Sequence, residues 1–241
     1  MRLAGIDLAW HGDSKPSAIA TGILNDNQIV LDALDPAVVG LDSISDFLTG
    51  LESLEGIAID APLIIKIKTG QRPCETEVGT EYGARGASCH ATNLTLYPDA
   101  FSVRLSETLS AIGFHHLGSE KWQIECYPHP AIIEIFGIDY RLKYKKGNVA
   151  EKKEGQKILA SYLLQLFKSK TLKLTIPDKF QQPFQPDHID SLGGESLKSN
   201  EDALDAVVCL YIAASYAKKT THQIFGDTQH GYIWVPTGKR I

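Results

Sequence analysis

No stretch of this chain stays apolar for long enough to cross a bilayer, and its first apolar run, Leu3 to Ile6, is broken at once by Asp7. Neither a membrane partner nor a signal peptide is expected. Cysteine is scarce, at positions 74, 89, 126 and 209 only. Cys126 and His129 are three apart and Cys89 adjoins His90, but no second Cys-x-x-Cys pair completes a structural zinc site. Reduced thiols in a cytoplasm are the simplest reading, so a cytoplasmic location is expected. The chain lacks a Gly-x-x-x-x-Gly-Lys-Ser/Thr phosphate loop, and its tyrosines are scattered rather than grouped as in an RNA-recognition surface. It also lacks a positive excess: 24 Lys and Arg against 29 Asp and Glu leave a net charge of −5. Passive nucleic-acid binders draw affinity from phosphate contacts, so this balance counts against a broad DNA-coating role. It does not exclude a nuclease, because divalent metal offsets a carboxylate cluster locally.

The 241 residues fit one large domain or two small ones and suffice for a core without disulfides. Residues 2–9, 18–24 and 28–34 read as strands of an antiparallel meander, with Asn25-Asp26-Asn27 as turn formers. Helical spacing of Ile44, Phe47, Leu48 and Leu51 predicts a helix over 42–51, and 56–60 reads as a buried strand stopped by Ala61-Pro62. Residues 64–100 read as irregular, with a helix over 75–82. A helix over 101–113, a fifth strand over 121–127 and a short helix over 131–136 follow, with His115-His116 at a loop edge. Asn148 and Glu151 form a capping-box pattern that opens a helix to residue 168. Residues 175–199 read as a long loop, Asn200 as the cap of a last helix to 219, and 232–236 as a late strand.

Acidic residues end several apolar runs. Asp7 follows Leu-Ala-Gly-Ile, Asp60 follows Gly-Ile-Ala-Ile, and Glu125 follows Trp-Gln-Ile. Asp202 and Asp205 open the apolar segment 203–214. Carboxylates are costly to bury unless paired, hydrogen-bonded or metal-bound. Asp202, read as lying in a first helical turn, is explained by the helix dipole alone. Asp205, three residues on and hemmed by Leu204, Ala206, Val207 and Val208, is not. Two strand ends and one helix can bring Asp7, Asp60 and Asp205 together, and carboxylates that close need compensation. Two Mg²⁺ or Mn²⁺ ions about 4 Å apart provide it, and such a pair stabilises both the attacking and leaving oxygens of an in-line phosphoryl displacement by water.

Five segments, Gly5-Ile6-Asp7, Ile59-Asp60-Ala61-Pro62, Arg72-Pro73-Cys74-Glu75, Glu125-Cys126-Tyr127-Pro128 and Asp202-Ala203-Leu204-Asp205-Ala206, occur in one order. In that order they resemble domain-of-unknown-function family 429, regarded as predicted nucleases with an RNase H-like fold. The resemblance runs from Ile6 to the segment 231–236. It implies a single α/β domain over residues 1–241, built on a mixed five-stranded sheet with three antiparallel strands first and an irregular insert after the fourth strand. It implies that Asp7 is the first-strand acid, Asp60 the fourth-strand acid, and Asp205, or Asp202 beside it, the acid of the C-terminal helix. Glu125 matches the family's Glu before Tyr-Pro, a fourth ligand or water orienter. His129 departs from the pattern, standing where many relatives carry an acid.

Arg72 and Arg85 bracket the insert, and Lys145 precedes a helix N-terminus; all three are candidates for substrate phosphate. The expected function is a divalent-metal-dependent nuclease or related phosphodiester hydrolase with nucleic acid as substrate. Two other readings remain open. One is an actin-like ATPase or sugar-kinase relative, disfavoured because Leu8-Ala9 and Ala61-Pro62 follow the two acids where phosphate loops need glycine. The other is a non-catalytic binding module that retains the fold.

Overall fold

The computed structural model describes residues 1–10, 12 and 14–240. The chain begins with β1 (Arg2–Asp7), β2 (Pro16–Asn25) and β3 (Gln28–Val39), an antiparallel meander. Asn25 pairs with Gln28, leaving a two-residue turn in which Asp26 takes a positive φ of 46°. Asp tolerates that conformation better than most residues. Helix α1 (Leu41–Thr49) buries Ile44 and Leu48 and crosses over to β4 (Leu54–Asp60), parallel to β1. Next come α2 (Pro73–Tyr82), α3 (Phe101–Ala111), β5 (His115–His116), β6 (Trp122–Glu125), α4 (Pro128–Phe136) and α5 (Val149–Gln165). The chain continues with β7 (Lys173–Thr175), α6 (Pro186–Ser191), α7 (Gly194–Ala217), β8 (His222–Asp227) and β9 (Gly231–Pro236).

The main sheet has the order β5-β6-β4-β1-β2-β3-β7, and β2 alone runs against the rest. Side chains alternate across it. Leu3, Ala18, Ala20, Ala58 and Ile124 join a core with α4, α5 and α7. Ala4, Ile6, Ile19, Ile57 and Ile59 join a second core with α1 and α3 on the other face. This is the period-two pattern of a sheet covered on both sides. Strands β8 and β9 form a separate antiparallel ribbon, joined to the end of β6 by a bridge between Cys126 and Trp234.

The sheet has seven strands rather than the expected five. The two additions, β5 and β7, are edge strands of two and three residues, too short to carry a hydrophobic period. The expected loop over 175–199 is largely structured: it holds two 3₁₀ turns and α6, and α7 already begins at Gly194. Asn200 is therefore not a helix cap. It lies inside α7, where its side-chain amide donates to Gln156 Oε1 at 3.0 Å and to the Pro183 carbonyl. Asp202 likewise lies mid-helix, so a first-turn dipole role does not apply to it. The Asn148–Glu151 capping box forms as read, each side chain accepting from the other's backbone N–H. Among the described residues no helix is long and apolar enough to cross a membrane.

Candidate functional site

Asp7 and Asp60 are register partners at the C-terminal ends of the parallel strands β1 and β4. Their side chains therefore leave the sheet on the same face. That face is covered by α7, and glycine lets the helix come close. A Cβ placed on Gly5 would lie 2.0 Å from the Leu210 nitrogen and 2.5 Å from the Ala206 carbonyl oxygen. Only a residue without a side chain admits the helix backbone at this distance. Asp205, one residue before Ala206, is thereby brought against the strand ends. One oxygen from each of Asp7, Asp60 and Asp205 lies within 4.8 Å of the others. The three form an acidic triad that could hold a metal ion.

Charge in the cluster is partly compensated. Lys145 Nζ pairs with Asp205 Oδ2 and stands 3.6 Å from Asp60 Oδ2. Tyr144 donates its hydroxyl to Asp205 Oδ1 at 2.8 Å. Burial pushes the Asp7 carboxyl well above the usual carboxylate range against the pull of Lys145, and Asp205 and Asp60 raise it further. Asp60 is pushed up to about 7, mainly by burial, with Lys145 opposing. Burial works against the Lys145 ammonium, but Asp205 and Asp7 outweigh it and hold its pKa well above that of a free lysine. The ammonium thus stands in for a cation among the carboxylates. The donor set itself is all oxygen, which suits hard divalent ions.

The other expected acids are not members of the triad, although Asp202 lies near enough to raise the Asp7 carboxyl, and Glu125 and Arg72 line the same cavity. Asp202 pairs with Lys198 one turn along α7. Glu125 stands opposite Ile59 in the β4–β6 register, one residue out of step with Asp60, and so projects to the other face of the sheet. There it meets Arg72, whose Nη1 and Nη2 donate to its two oxygens at 2.9 and 2.6 Å. Arg72 Nε donates to Glu75 Oε1 at 2.8 Å, and Nη1 also donates to the Ile64 carbonyl. Arg72 is 2% exposed, so its guanidinium is engaged inside the protein rather than presented to solvent. Burial raises the Glu125 carboxyl, opposed by Arg72. Glu125 also accepts from the Leu63 N–H at 2.8 Å, which pins the turn that follows Asp60. Arg85 bonds Glu134 and the carbonyls of Ile138 and Asp139. Of the three cations expected at phosphate, the fold brings Lys145 to the triad.

Several participants carried no sequence signal of their own. Tyr144 precedes the lysine pair 145–146 and reads as an ordinary tyrosine, yet it is fully buried on Asp205. Lys198 lies four residues before Asp202, a helical ion-pair spacing that marked it only once the true start of α7 was known. A cavity of about 590 Å³ opens beside the triad, with Asp7 and Asp60 on its wall. His129 also lines it, is 6% exposed, and has no partner for Nδ1. Burial, together with Lys145, Arg141 and Lys146, holds its imidazole well below the usual range and so uncharged. The four cysteines are free; Cys126 and Cys209 meet behind the triad with sulfurs 3.6 Å apart.

The model of a family described as a protein of unknown function, DUF429, matches residues 5–230. The chain belongs to this family. The match takes in Asp7, Asp60 and Asp205, so the whole triad lies within the DUF429 region. No curated protein and no solved structure matches the chain.

Proposed function

We propose that this DUF429 protein is a divalent-metal-dependent phosphodiester hydrolase acting on nucleic acid, with an RNase H-like core. The observation that carries the reading is the triad: Asp7, Asp60 and Asp205 arrive from two parallel strand ends and a packed helix with oxygens within 4.8 Å. An antiparallel β1–β2–β3 meander followed by the parallel strands β4 and β6 in one mixed sheet supports the RNase H-like reading. Asp7, Asp60 and Asp205 would hold Mg²⁺ or Mn²⁺, two ions in the fullest form of the reading, with Asp202 in reserve beside them. When bound, the ions supply Lewis-acid stabilisation of charge on the phosphoryl oxygens.

The chain's own residues do the rest. Tyr144 fixes the orientation of Asp205 through its hydroxyl. Lys145, kept charged by the carboxylates, supplies mobile positive charge next to the reacting phosphate; its side chain is 24% exposed and hangs on four rotatable carbons. Glu125 acts as a positioning residue, holding Arg72 on one side and the Leu63 N–H on the other so that the turn after Asp60 does not drift.

The test is hydrolysis of bis(p-nitrophenyl) phosphate and of nucleic-acid substrates with Mn²⁺, using Asp60→Ala as the blank. Metal-dependent release of nitrophenol by the wild type and none by the variant is expected. Metal binding at the triad without turnover of any phosphodiester would instead favour a binding module.

A further inference from the structure

Resting on the hydrolase reading, we propose that the substrate enters as a single unpaired nucleotide with its phosphates, and that Arg141 and Lys146 grip those phosphates. The first ground is the size of the space. A volume of about 590 Å³ equals a cube roughly 8 Å on edge, within the range of small-molecule sites. A duplex is far wider, since its major groove alone spans about 12 Å. Ser88, Cys89 and His90, from the irregular stretch after β4, stand on the cavity wall. The insert thus adds a wall to the pocket that Asp7 and Asp60 line at their strand ends.

The second ground is the chemistry of the walls. Lys145 and Lys198 are both paired with carboxylates. The side chains of Arg141 and Lys146, which also line the cavity, have no hydrogen-bond or ion-pair partner among the described residues. Two uncommitted cations lining the same pocket as Asp7 and Asp60 suit an anionic ligand that delivers a phosphate to a cation-dependent centre. Arg141 can meet phosphate oxygens bidentately. Trp10 and Tyr127 add aromatic surface to the wall, where a base can stack whatever its identity. His129, nine-tenths buried with Nδ1 unpartnered, leaves a polar atom for a base or sugar. The net charge of −5 agrees with recognition confined to one pocket instead of a long phosphate track.

A strand terminus and a free small nucleotide offer the same chemistry, and binding measurements separate them. The probe is fluorescein-labelled oligothymidylate, followed by anisotropy in Ca²⁺. Competitors are the same strand circularised, its blunt duplex with oligoadenylate, and thymidine monophosphate. The linear strand is expected to bind at least about tenfold more tightly than the duplex, and Arg141→Glu with Lys146→Glu to weaken it by about tenfold or more. Lys170→Glu, on the exposed approach to β7, controls for net charge and is expected to change little. Monophosphate competing as well as the strand assigns the pocket to small nucleotides; a circle binding worse than the linear strand assigns it to strand ends. Duplex binding equal to the single strand, no binding of any single-stranded form, or full affinity in the Arg141 and Lys146 variants would overturn the proposal. Bis(p-nitrophenyl) phosphate turnover, measured in parallel, keeps the two readings apart. Turnover without strand preference sinks the nucleotide pocket alone, and preference without turnover sinks the hydrolase alone.

Discussion

Glu125 stands opposite Ile59, not opposite Asp60, across β4 and β6. This one-residue offset decides the character of two acids that look alike in sequence. Asp60 faces α7 and joins the triad; Glu125 faces the other side and pairs with a buried arginine. Cys126, the residue after β6, meets α7 through Cys209.

The Arg72–Glu125 pair is buried on both sides, with 2% and 3% exposure. Removing Glu125 leaves Arg72 with Glu75 as its one carboxylate partner, and removing Arg72 leaves two buried acids without it, a loss of about 3–5 kcal/mol in such buried networks. Glu125→Ala is therefore expected to lower unfolding free energy in urea by that amount, with Arg72→Ala similar and the double variant well short of additive. A loss below about 1 kcal/mol for Glu125→Ala would show that the pair does not hold the turn after Asp60.

Gly5→Ala is expected to be severe for so small a change. Its Cβ would meet backbone atoms of α7, which cannot rotate away. Overpacking usually costs about 1–3 kcal/mol, and contact with backbone places this case at or above the upper end. Because α7 carries Asp205, the variant is also expected to lose Mn²⁺ stabilisation in thermal melts. Unchanged Mn²⁺ response would separate the helix contact from the triad.

Lys145 partly compensates the acids when no metal is bound. Lys145→Met is expected to lower the melting temperature in EDTA, and Mn²⁺ is expected to restore it. Asp7→Asn behaves oppositely: repulsion is relieved, so stability in EDTA is unchanged or raised, and the Mn²⁺ response disappears. Differential scanning fluorimetry with and without metal reads both; equal Mn²⁺ shifts in Asp7→Asn and wild type would remove Asp7 from the site.

Asp60 gives the pH dependence. Its carboxyl rises from 3.8 to about 7 on folding, so the folded state binds more protons than the unfolded state between those values. The associated stability is fully present below about pH 4 and is lost as pH rises through about 7. Urea unfolding in EDTA from pH 5 to 8 is expected to show this decline in the wild type and a flatter profile in Asp60→Asn. Mn²⁺ affinity runs the other way, falling below pH 7 as protons compete for the carboxylate. Parallel stability profiles for wild type and variant would contradict the assignment.

Much of this arrangement is legible in the chain because acids at the ends of apolar runs are unusual. Asp7, Asp60 and Asp205 stand out on that ground, and strand ends with a covering helix bring them together. The Asn148–Glu151 cap is legible because its logic is local. Glu125 misleads because strand register is invisible until the neighbouring strand is aligned, and its partner Arg72 lies 53 residues away. Asn200 misleads because a good cap residue also makes a good buried amide when Gln156 is there to meet it. The cavity is hidden for a plainer reason: its wall at residues 88–90 comes from a stretch with no period at all.

The most direct measurement is anomalous diffraction from crystals soaked in Mn²⁺. Peaks are expected between Asp7, Asp60 and Asp205, with Lys145 drawn off the carboxylates, and no peak there in Asp60→Asn. A triad that stays empty while Lys145 keeps its place, or manganese bound only at another site, would contradict a metal centre here.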